Sequence, residues 1–480
     1  MVQNGRAQAA GTGARGVLVP LALAQFICSF AGSNMNVMIN DISEDLDTTV
    51  QGVQVAITIF LLVMAACMIP GGKLADRYGR KRCFVVGLVV YGVGALLSAV
   101  APGLGVLILG NSILEGIGTA LLIPPVYILT TLLFTEVTSR ARAFGAISAL
   151  GGIGAAAGPL IGGLIVATIH WRAAFLFQVL VIAVIVWLSR GITDPLPADR
   201  STPFDVTGAV ASAVGLMLVV TGILAADNNL WWMLAFVLTG TIVLVFFFRS
   251  LRAKERSGDV PLLSTGLFRS RASNLGLVTQ NAQWLLLSGI SFVVSAYLQV
   301  VRGYDAISTG VLFTAMTAGL LVASLGAGRF ARRRAQRTLI VAGFVVTSAG
   351  IVTLLLLVVE TSSAWSFVPG LLLIGFGLGA MLTPSVNVVQ SSFPSAQQGE
   401  ISGLSRSVSN LGSSLGTAVA GTVLVAGLTA TPERAYALAI VVLGVAGVVG
   451  LVAAIMLPPA VGSAPSTSRS PASSPAGPAP

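Results

Sequence analysis

Two ionisable residues, Glu115 and Arg406, lie inside long apolar stretches of this sequence. Glu115 lies near the middle of the apolar run 105–133, and Arg406 lies about one and a half helical turns into the run 400–428. A charged side chain inside a membrane is energetically costly, so such a residue is a candidate functional group. A buried carboxyl group can take up and release a proton, and a guanidinium can hold an anion.

Each of these residues also has a structural interpretation. Glu115 can be a protonated or hydrogen-bonded glutamate that only packs between helices. Because Glu115 follows Ser112 by three positions, we expect the two side chains on one face of a helix. Arg406 can pair with Glu115, hold an anionic substrate or extend to the inner membrane surface, and we favour the surface position or a structural pairing.

Further polar side chains inside apolar runs are amides, hydroxyls and one indole. They could line a cavity for amphiphilic ligands, or they could form hydrogen bonds between helices. The substrate-cavity candidates are Asn34, Ser112, Tyr127, Gln280, Gln283, Trp284, Asn387 and Arg406.

The composition indicates the environment that must position these residues. Of the 480 residues, 55% are hydrophobic and 9% are charged, against roughly 25% charged residues in soluble proteins. Long apolar runs recur along the chain, and each can cross a bilayer as a helix. We therefore predict an all-α integral membrane protein embedded in a lipid bilayer.

Fourteen such runs predict fourteen transmembrane helices, numbered here as predicted helices 1 to 14. The runs are 16–40, 52–72, 83–101, 105–133, 142–168, 173–189, 206–226, 230–249, 274–301, 307–328, 338–359, 365–391, 400–428 and 435–457.

The basic residues predict the orientation of these helices. If both termini are cytoplasmic, the inner segments hold 23 of the 27 Lys and Arg residues. The first outer loop, 41–47, then carries four acids and no base. This asymmetry follows the positive-inside rule, so we expect a multi-pass protein of the inner (plasma) membrane with both termini in the cytoplasm.

Several function classes are excluded by what the sequence lacks. The net charge of +10 comes from short basic clusters between apolar runs, which does not suggest nucleic-acid binding. No Gly-x-x-x-x-Gly-Lys-Ser/Thr loop is present, so we expect no bound nucleotide. His170 is the single histidine, and no metal-ligand spacing or nucleophile–base pair is found. We predict no enzyme activity, no cofactor and no metal.

An internal repeat divides the chain. Gly116 and Pro125 recur as Gly375 and Pro384 at an offset of 259, and helix 5 matches helix 13 at an offset of 258. The repeat predicts two parallel six-helix halves with two helices inserted between them. The predicted domains are a cytoplasmic segment 1–15, an N-terminal bundle 16–190, a linker region with the inserted helices 191–272, a C-terminal bundle 273–458 and a disordered cytoplasmic tail 459–480.

The loop after predicted helix 2 carries a dense motif of glycines and charges. The glycines permit a tight turn, the acid can bind arginine or a helix N-terminus, and the cations hold the loop at the inner surface. A positive-inside loop alone would explain the cations. The residues that we single out are Gly72, Asp76, Arg77, Gly79 and Arg80.

Predicted helix 5 carries a second motif of small residues around a proline. Small residues let a neighbouring helix approach closely, and the proline can bend the helix. The residues are Gly154, Gly158, Pro159, Gly162 and Gly163.

Both motifs resemble those of the major facilitator superfamily, and the second resembles the antiporter motif of its fourteen-helix drug/proton antiporter branch. Further similarity includes Trp171-Arg172, the stretch 204–208 and the stretch 399–416, over roughly residues 17–457 in all. The resemblance implies a major facilitator fold, a cytoplasmic gate that includes Asp76 and Arg77, and a helix 5 that rocks during alternating access.

The sequence departs from the family pattern at two charges expected in the cavity. Ala31 stands where helix 1 of that branch carries an aspartate, and Ser112 stands where helix 4 carries an arginine. If that arginine position faces the cavity, Glu115 should lie close to it, which makes Glu115 the candidate coupling residue.

We therefore expect a secondary transporter that exports small lipophilic or amphiphilic compounds by alternating access, driven by protons and acting as a monomer. One alternative is a dedicated exporter or uniporter for a single metabolite, peptide or lipid, which the two missing charges favour. A sensor or scaffold that transports nothing is a more distant alternative, and the intact gate loop argues against it.

Overall fold

A computed structural model describes residues 2–134, 136–194, 204–225, 229–330, 336–360, 363–393, 397–427 and 431–458. The predicted disordered tail, 459–480, lies outside these described residues. Within them the chain is helical and contains no strand.

Fourteen helices of the described chain are long and apolar enough to cross a membrane, which confirms the predicted fold class. We number these helices α1 to α14 in chain order. Three of them are composite: α1 joins Val2–Asn34, a 3₁₀ turn Met35–Met38 and Ile39–Asp45; α4 joins Leu104–Leu107, a π-helical stretch Ile108–Glu115 and Gly116–Leu133; α9 joins Arg271–Ala296 and a π-helical stretch Tyr297–Val301. The others are α2 Val50–Tyr78, α3 Arg80–Ala99, α5 Val137–Thr168, α6 Trp171–Leu188, α7 Val206–Leu224, α8 Leu230–Ser257, α10 Ala306–Phe330, α11 Gln336–Glu360, α12 Phe367–Gln390, α13 Gln398–Gly427 and α14 Pro432–Ile455.

Helix α2 extends to Tyr78, six residues past the predicted end of its apolar run. Backbone hydrogen bonding continues the helix beyond the hydrocarbon region, where long charged side chains can reach water. Gly72 therefore lies inside α2 and not in a turn, which corrects the prediction for that residue. The chain turns at Gly79, whose φ of 98° is a conformation that glycine adopts without strain.

The two halves of the chain use the same close helix packing. Helix α5 approaches α1 at Gly154, where an added Cβ would meet the carbonyl group of Phe26. Helix α13 approaches α9 at Gly412 in the same way, against the carbonyl group of Asn281. Equivalent contacts 258 residues apart agree with the internal repeat, while the exact domain boundaries stay a prediction.

The inserted helices α7 and α8 form a hairpin beside the two halves. Helix α7 covers the seam between α2 and α13, because Val220 of α7 packs with Leu62 of α2 and Ala418 of α13. The hairpin therefore contacts both halves of the protein.

Asp205 fixes the base of this hairpin. Its carboxylate accepts hydrogen bonds from the backbone N–H of Gly208 at 2.7 Å and of Leu262 at 3.2 Å, and it forms an ion pair with Lys254 of α8. Although burial opposes ionisation, these bonds hold the pKa of Asp205 below its usual value. The stabilisation is complete at neutral pH and is lost as the pH falls through this lowered pKa.

We expect Asp205→Ala to destabilise the detergent-solubilised protein by about 1–2 kcal/mol, the usual effect of losing a helix cap. Asp205→Asn keeps one acceptor oxygen for the cap at Gly208 but loses the ion pair and the bond from Leu262, so its melting temperature should lie between those of the wild type and the alanine variant. Equal melting temperatures for the two variants would show that the cap contributes nothing.

Candidate functional site

Glu115 lies inside the N-terminal half, between α4 and α3. Its side chain is 0% exposed, and the hydroxyl groups of Tyr91 and Ser98 on α3 lie next to its carboxyl group. Neither carboxylate oxygen has a hydrogen-bond partner of good geometry within the described residues. Cys28 of α1 lies near the same group. The carboxyl group is therefore enclosed by the helices of one half.

Ser112 and Glu115 do not share a contact surface, which corrects the prediction that they do. The Ser112 hydroxyl donates to the carbonyl group of Ala56 on α2 at 2.7 Å, whereas Glu115 faces α3. Both residues belong to the π-helical stretch of α4. A π-helix bonds residues five apart, so side chains three positions apart no longer stack along one face. Neither residue faces the C-terminal half.

A buried hydrogen-bond chain continues from Glu115. The Tyr91 hydroxyl, 0% exposed, donates to Oε1 of Gln178 on α6, and Nε2 of Gln178 has no partner within the described residues. In this arrangement the Tyr91 oxygen can accept a hydrogen bond from a protonated Glu115. If Glu115 is ionised, Tyr91 can donate to it instead, and the amide of Gln178 can turn to donate to Tyr91. The chain can thus accommodate both protonation states.

Arg406 of α13 reaches across to the N-terminal half, as in the structural pairing expected from the sequence. Its guanidinium lies 4.7 Å from the centre of the Tyr127 ring and donates to the Tyr127 hydroxyl. That hydroxyl donates to Oε1 of Gln25 at 3.3 Å, and the ring of Phe144 stacks on Tyr127. The structure therefore brings two cavity candidates, Tyr127 and Arg406, together between the halves.

Two glutamines of α9 bond within the C-terminal half. Gln280 accepts a hydrogen bond from Ser405 of α13 at 2.8 Å, and Gln283 donates to the carbonyl group of Leu378 on α12 at 3.3 Å. These bonds fit the interpretation that both side chains join neighbouring helices. A role in substrate binding stays a prediction for both.

The remaining cavity candidates, Asn34, Trp284 and Asn387, lie on three different helices. Asn34 is 0% exposed beside Gly162, and neither atom of its side-chain amide has a partner within the described residues. Trp284 and Asn387 are partly exposed on α9 and α12. Their role in binding stays a prediction.

Hydrogen bonds join the halves at the end of the bundle that holds Asn40 and Arg172, which we call the outer end. Ser295 and Gln299 of α9 both donate to the carbonyl group of Asn36 on α1, the second at 2.7 Å. The backbone N–H of Asn40 donates to Gln299 at 3.2 Å. This end is therefore closed between α1 and α9.

The helix-5 motif lies at two different surfaces of α5. Gly154, Gly158 and Gly162 face α1 within the same half. Gly163 instead faces α10 of the other half, where an added Cβ would lie 2.6 Å from the Ala306 carbonyl oxygen. The backbone of Pro159 also contacts α10. The end of the motif thus helps to close the outer end.

The gate loop is held within its own half. Asp76 pairs with Arg80 at 2.8 Å, one helical turn away, and the Arg77 guanidinium lies 5.7 Å from the Tyr78 ring centre. Asp194, which follows α6, accepts from the backbone N–H of Arg80 at 2.6 Å. The ion pair of Asp76 therefore does not bridge the halves in this structure.

A cross-half ion pair that sequence reasoning missed lies beside this loop. Lys73 of α2 binds Glu400 of α13 at 2.6 Å, and the two side chains are 24% and 29% exposed. The partners are 327 residues apart, so no local pattern connects them. This pair joins the halves at the end opposite the outer end, which we call the inner end.

We expect Lys73→Glu and Glu400→Lys each to lower the transport rate several-fold, because each places like charges together at the inner end. The double variant should restore most of the rate. A partly exposed pair contributes roughly 1 kcal/mol or less, so the effect is moderate. Lys81→Glu combined with Glu400→Lys is the control, since Lys81 bonds to the Arg190 carbonyl group instead. Rescue by this control pair would rule out a specific Lys73–Glu400 bond.

A family model, the Major Facilitator Superfamily, matches residues 21–268 and 206–417. These matches cover more than half of the chain, and the fourteen helices and the joined halves agree with them. The protein belongs to the major facilitator superfamily. It is a multi-pass membrane protein of a transporter family whose members bind small molecules within the membrane, and it is not an enzyme.

The chain is similar to resistance and export proteins over most of its length. It is 30% identical to a puromycin resistance protein of Streptomyces alboniger, over 85% of this chain and 81% of that protein. It is 29% identical to a probable actinorhodin transporter of Streptomyces coelicolor, over 82% and 69% of the two chains. A POT family transporter, solved in complex with 5-aminolevulinic acid, shares the fold with a TM-score of 0.69 at 16% identity, over 92% and 96% of the two chains.

Proposed function

We propose that this protein is a secondary exporter of small organic compounds of the drug and antibiotic type. The observation that carries this proposal is its similarity to resistance and export proteins over more than four-fifths of the chain. The geometry of the halves supports it. Bonds between the halves lie at the outer end, through Asn36 and Gln299, and at the inner end, through Lys73 and Glu400. Alternating access would break these two sets in turn.

Proton coupling through Glu115 is part of this proposal. Glu115 is fully enclosed, and its neighbour Tyr91 belongs to a hydrogen-bond chain that can reverse its direction when the carboxyl group gains or loses a proton. Such a chain would let the packing of α3, α4 and α6 respond to protonation. The gate motif and the helix-5 motif would then transmit rocking between the halves.

The protein would act as a monomer in the inner membrane, with both termini in the cytoplasm. The distribution of Lys and Arg supports this orientation. The inner end, which holds Lys73 and Arg80, would then face the cytoplasm, and the outer end would face away from it.

A substrate screen in a strain that lacks its own efflux pumps tests the export function. Cells that express the wild type should accumulate less of at least one antibiotic or dye than cells that express Asp76→Asn at equal protein level. Equal accumulation of every compound by the two strains would contradict export.

A second candidate function is transport of one metabolite. It is favoured by similarity to a riboflavin transporter of Clostridioides difficile, 23% identical over 84% of this chain and 86% of that protein. Transport that is confined to a single compound and persists after a protonophore collapses the proton gradient would establish this alternative.

A further inference from the structure

Arg406 is a cation between the two halves without a carboxylate partner. No carboxylate of the described residues lies within ion-pair distance of its guanidinium, whereas Lys73, Arg80, Arg172 and Lys254 each form an ion pair. Its contacts are the ring and the hydroxyl group of Tyr127, which is a neutral side chain.

The acid inside the N-terminal half does not neutralise Arg406. Glu115 faces Tyr91 and Ser98 of α3, while Arg406 contacts α4 at Tyr127, three turns further along that helix. Ala31 stands where an acid was expected on α1. The described residues thus place no carboxylate against the positive charge of Arg406 where the halves meet at Tyr127.

The surroundings of Arg406 combine this charge with flat aromatic surface. The rings of Tyr127 and Phe144 stack with their centres 5.8 Å apart, and Gln25 of α1 adds an amide. A guanidinium has five N–H donors, and among the described residues only Tyr127 accepts a hydrogen bond from Arg406. The other donors have the planar arrangement that binds a carboxylate or phenolate through two parallel hydrogen bonds.

We propose that Arg406, Tyr127, Phe144 and Gln25 form a docking site for aromatic organic anions, which are therefore a substrate class of this exporter. This inference rests on the proposed export function and adds the charge of the cargo to it. The anionic group binds the guanidinium, and the aromatic part of the compound lies against the rings. A lipophilic cation finds no opposite charge at this site and is repelled by Arg406.

The site also belongs to both halves, because Arg406 comes from α13 and Tyr127 from α4. The guanidinium that would bind the anion also donates to the Tyr127 hydroxyl. Cargo binding is thus connected to a contact that holds the two halves together.

Two dyes with the same xanthene core and opposite charge test the proposal. Fluorescein is an anion and pyronin Y is a cation, and their binding to the purified protein in detergent is measured by fluorescence anisotropy. The wild type should bind fluorescein more tightly than pyronin Y. Arg406→Gln should weaken fluorescein binding by about tenfold or more, since a lost charge-assisted hydrogen bond has that effect. It should leave pyronin Y binding unchanged or stronger, and Arg406→Lys should keep the preference for fluorescein.

If Arg406→Gln weakened the binding of both dyes equally, the proposed anion site would be wrong. The Arg406–Tyr127 contact would then serve only to hold the two halves together. If Arg406→Gln does not fold, the wild type still decides, because binding of pyronin Y as tight as that of fluorescein overturns the proposal. Binding is measured without a gradient, so it is independent of export. If fluorescein binding depended on Arg406 but the protein exported no compound, the anion site would stand and only the proposed export function would be wrong.

Discussion

Glu115→Gln should strongly reduce transport driven by a proton gradient while the protein remains folded. Glutamine has nearly the shape of a protonated glutamate, and its amide can donate to Tyr91, but it cannot release a proton. We expect gradient-driven transport in proteoliposomes to fall by about tenfold or more, because a change of about 1.4 kcal/mol already shifts an equilibrium tenfold. Exchange of substrate at equal pH on both sides should persist, since it needs no net proton movement.

Two further variants serve as a control for Glu115→Gln and as a test of the hydrogen-bond chain. Glu433→Gln removes an exposed acid at the start of α14 and should leave transport unchanged. Tyr91→Phe keeps the carboxyl group but removes the central hydroxyl of the chain to Gln178, so it should slow transport without making it independent of the gradient. Gradient-driven transport at the wild-type rate in Glu115→Gln would show that Glu115 only packs, and the coupling role would be abandoned.

Gly163→Val should prevent closure of the outer end and reduce transport about tenfold or more. The added side chain would meet the backbone of Ala306 in the other half, and a carbonyl group in a helix cannot move aside as a side-chain tip can. Overpacking of this kind typically costs ~1–3 kcal/mol, and here the cost falls on the closed outer end alone. Val37→Cys, at a position that is 0% exposed, should then react faster with a membrane-impermeant maleimide.

Valine substitutions at two other glycines distinguish an effect on closure of the outer end from an effect on folding. Gly158→Val would place its side chain against Ser33 and Asn34 of the same half, so we expect a lower melting temperature and a lower yield. At Gly145 an added Cβ would have no atom of the described residues within 4 Å, so Gly145→Val should change neither property. A Gly163→Val protein with normal transport and unchanged labelling at Val37→Cys would contradict a role for Gly163 in closing the outer end.

The helices and their number follow from the sequence because each depends on one local property. A run of apolar residues long enough to span the bilayer must be helical, since no water is present to satisfy the backbone. The exact ends of the helices are harder to predict where charged residues follow the apolar run. Helix α8 continues to Ser257, eight residues past its apolar run, because Lys254 of that last stretch is anchored by Asp205.

The geometry of the candidate site could not be predicted from the spacing of residues in the sequence. The π-helical stretch of α4 separates Ser112 from Glu115, although their spacing predicts a shared face in an α-helix. The Lys73–Glu400 pair and the Arg406–Tyr127 contact each join residues from different halves. Only the relative placement of the halves brings such residues together, whereas the helix-5 glycines could be identified locally because close packing requires small residues in series.

The position of α7 determines how compounds dissolved in the lipid can approach this protein. A hydrophobic molecule that diffuses within the bilayer toward the α2–α13 side meets the surface of α7, where Val220 covers Leu62 and Ala418. On the opposite side, α5 and α10 meet directly at Gly163 and Ala306, with no inserted helix between them and the lipid. The two flanks of the molecule are thus unequal, and a compound that entered from the bilayer would meet one layer of helix fewer at the α5–α10 flank.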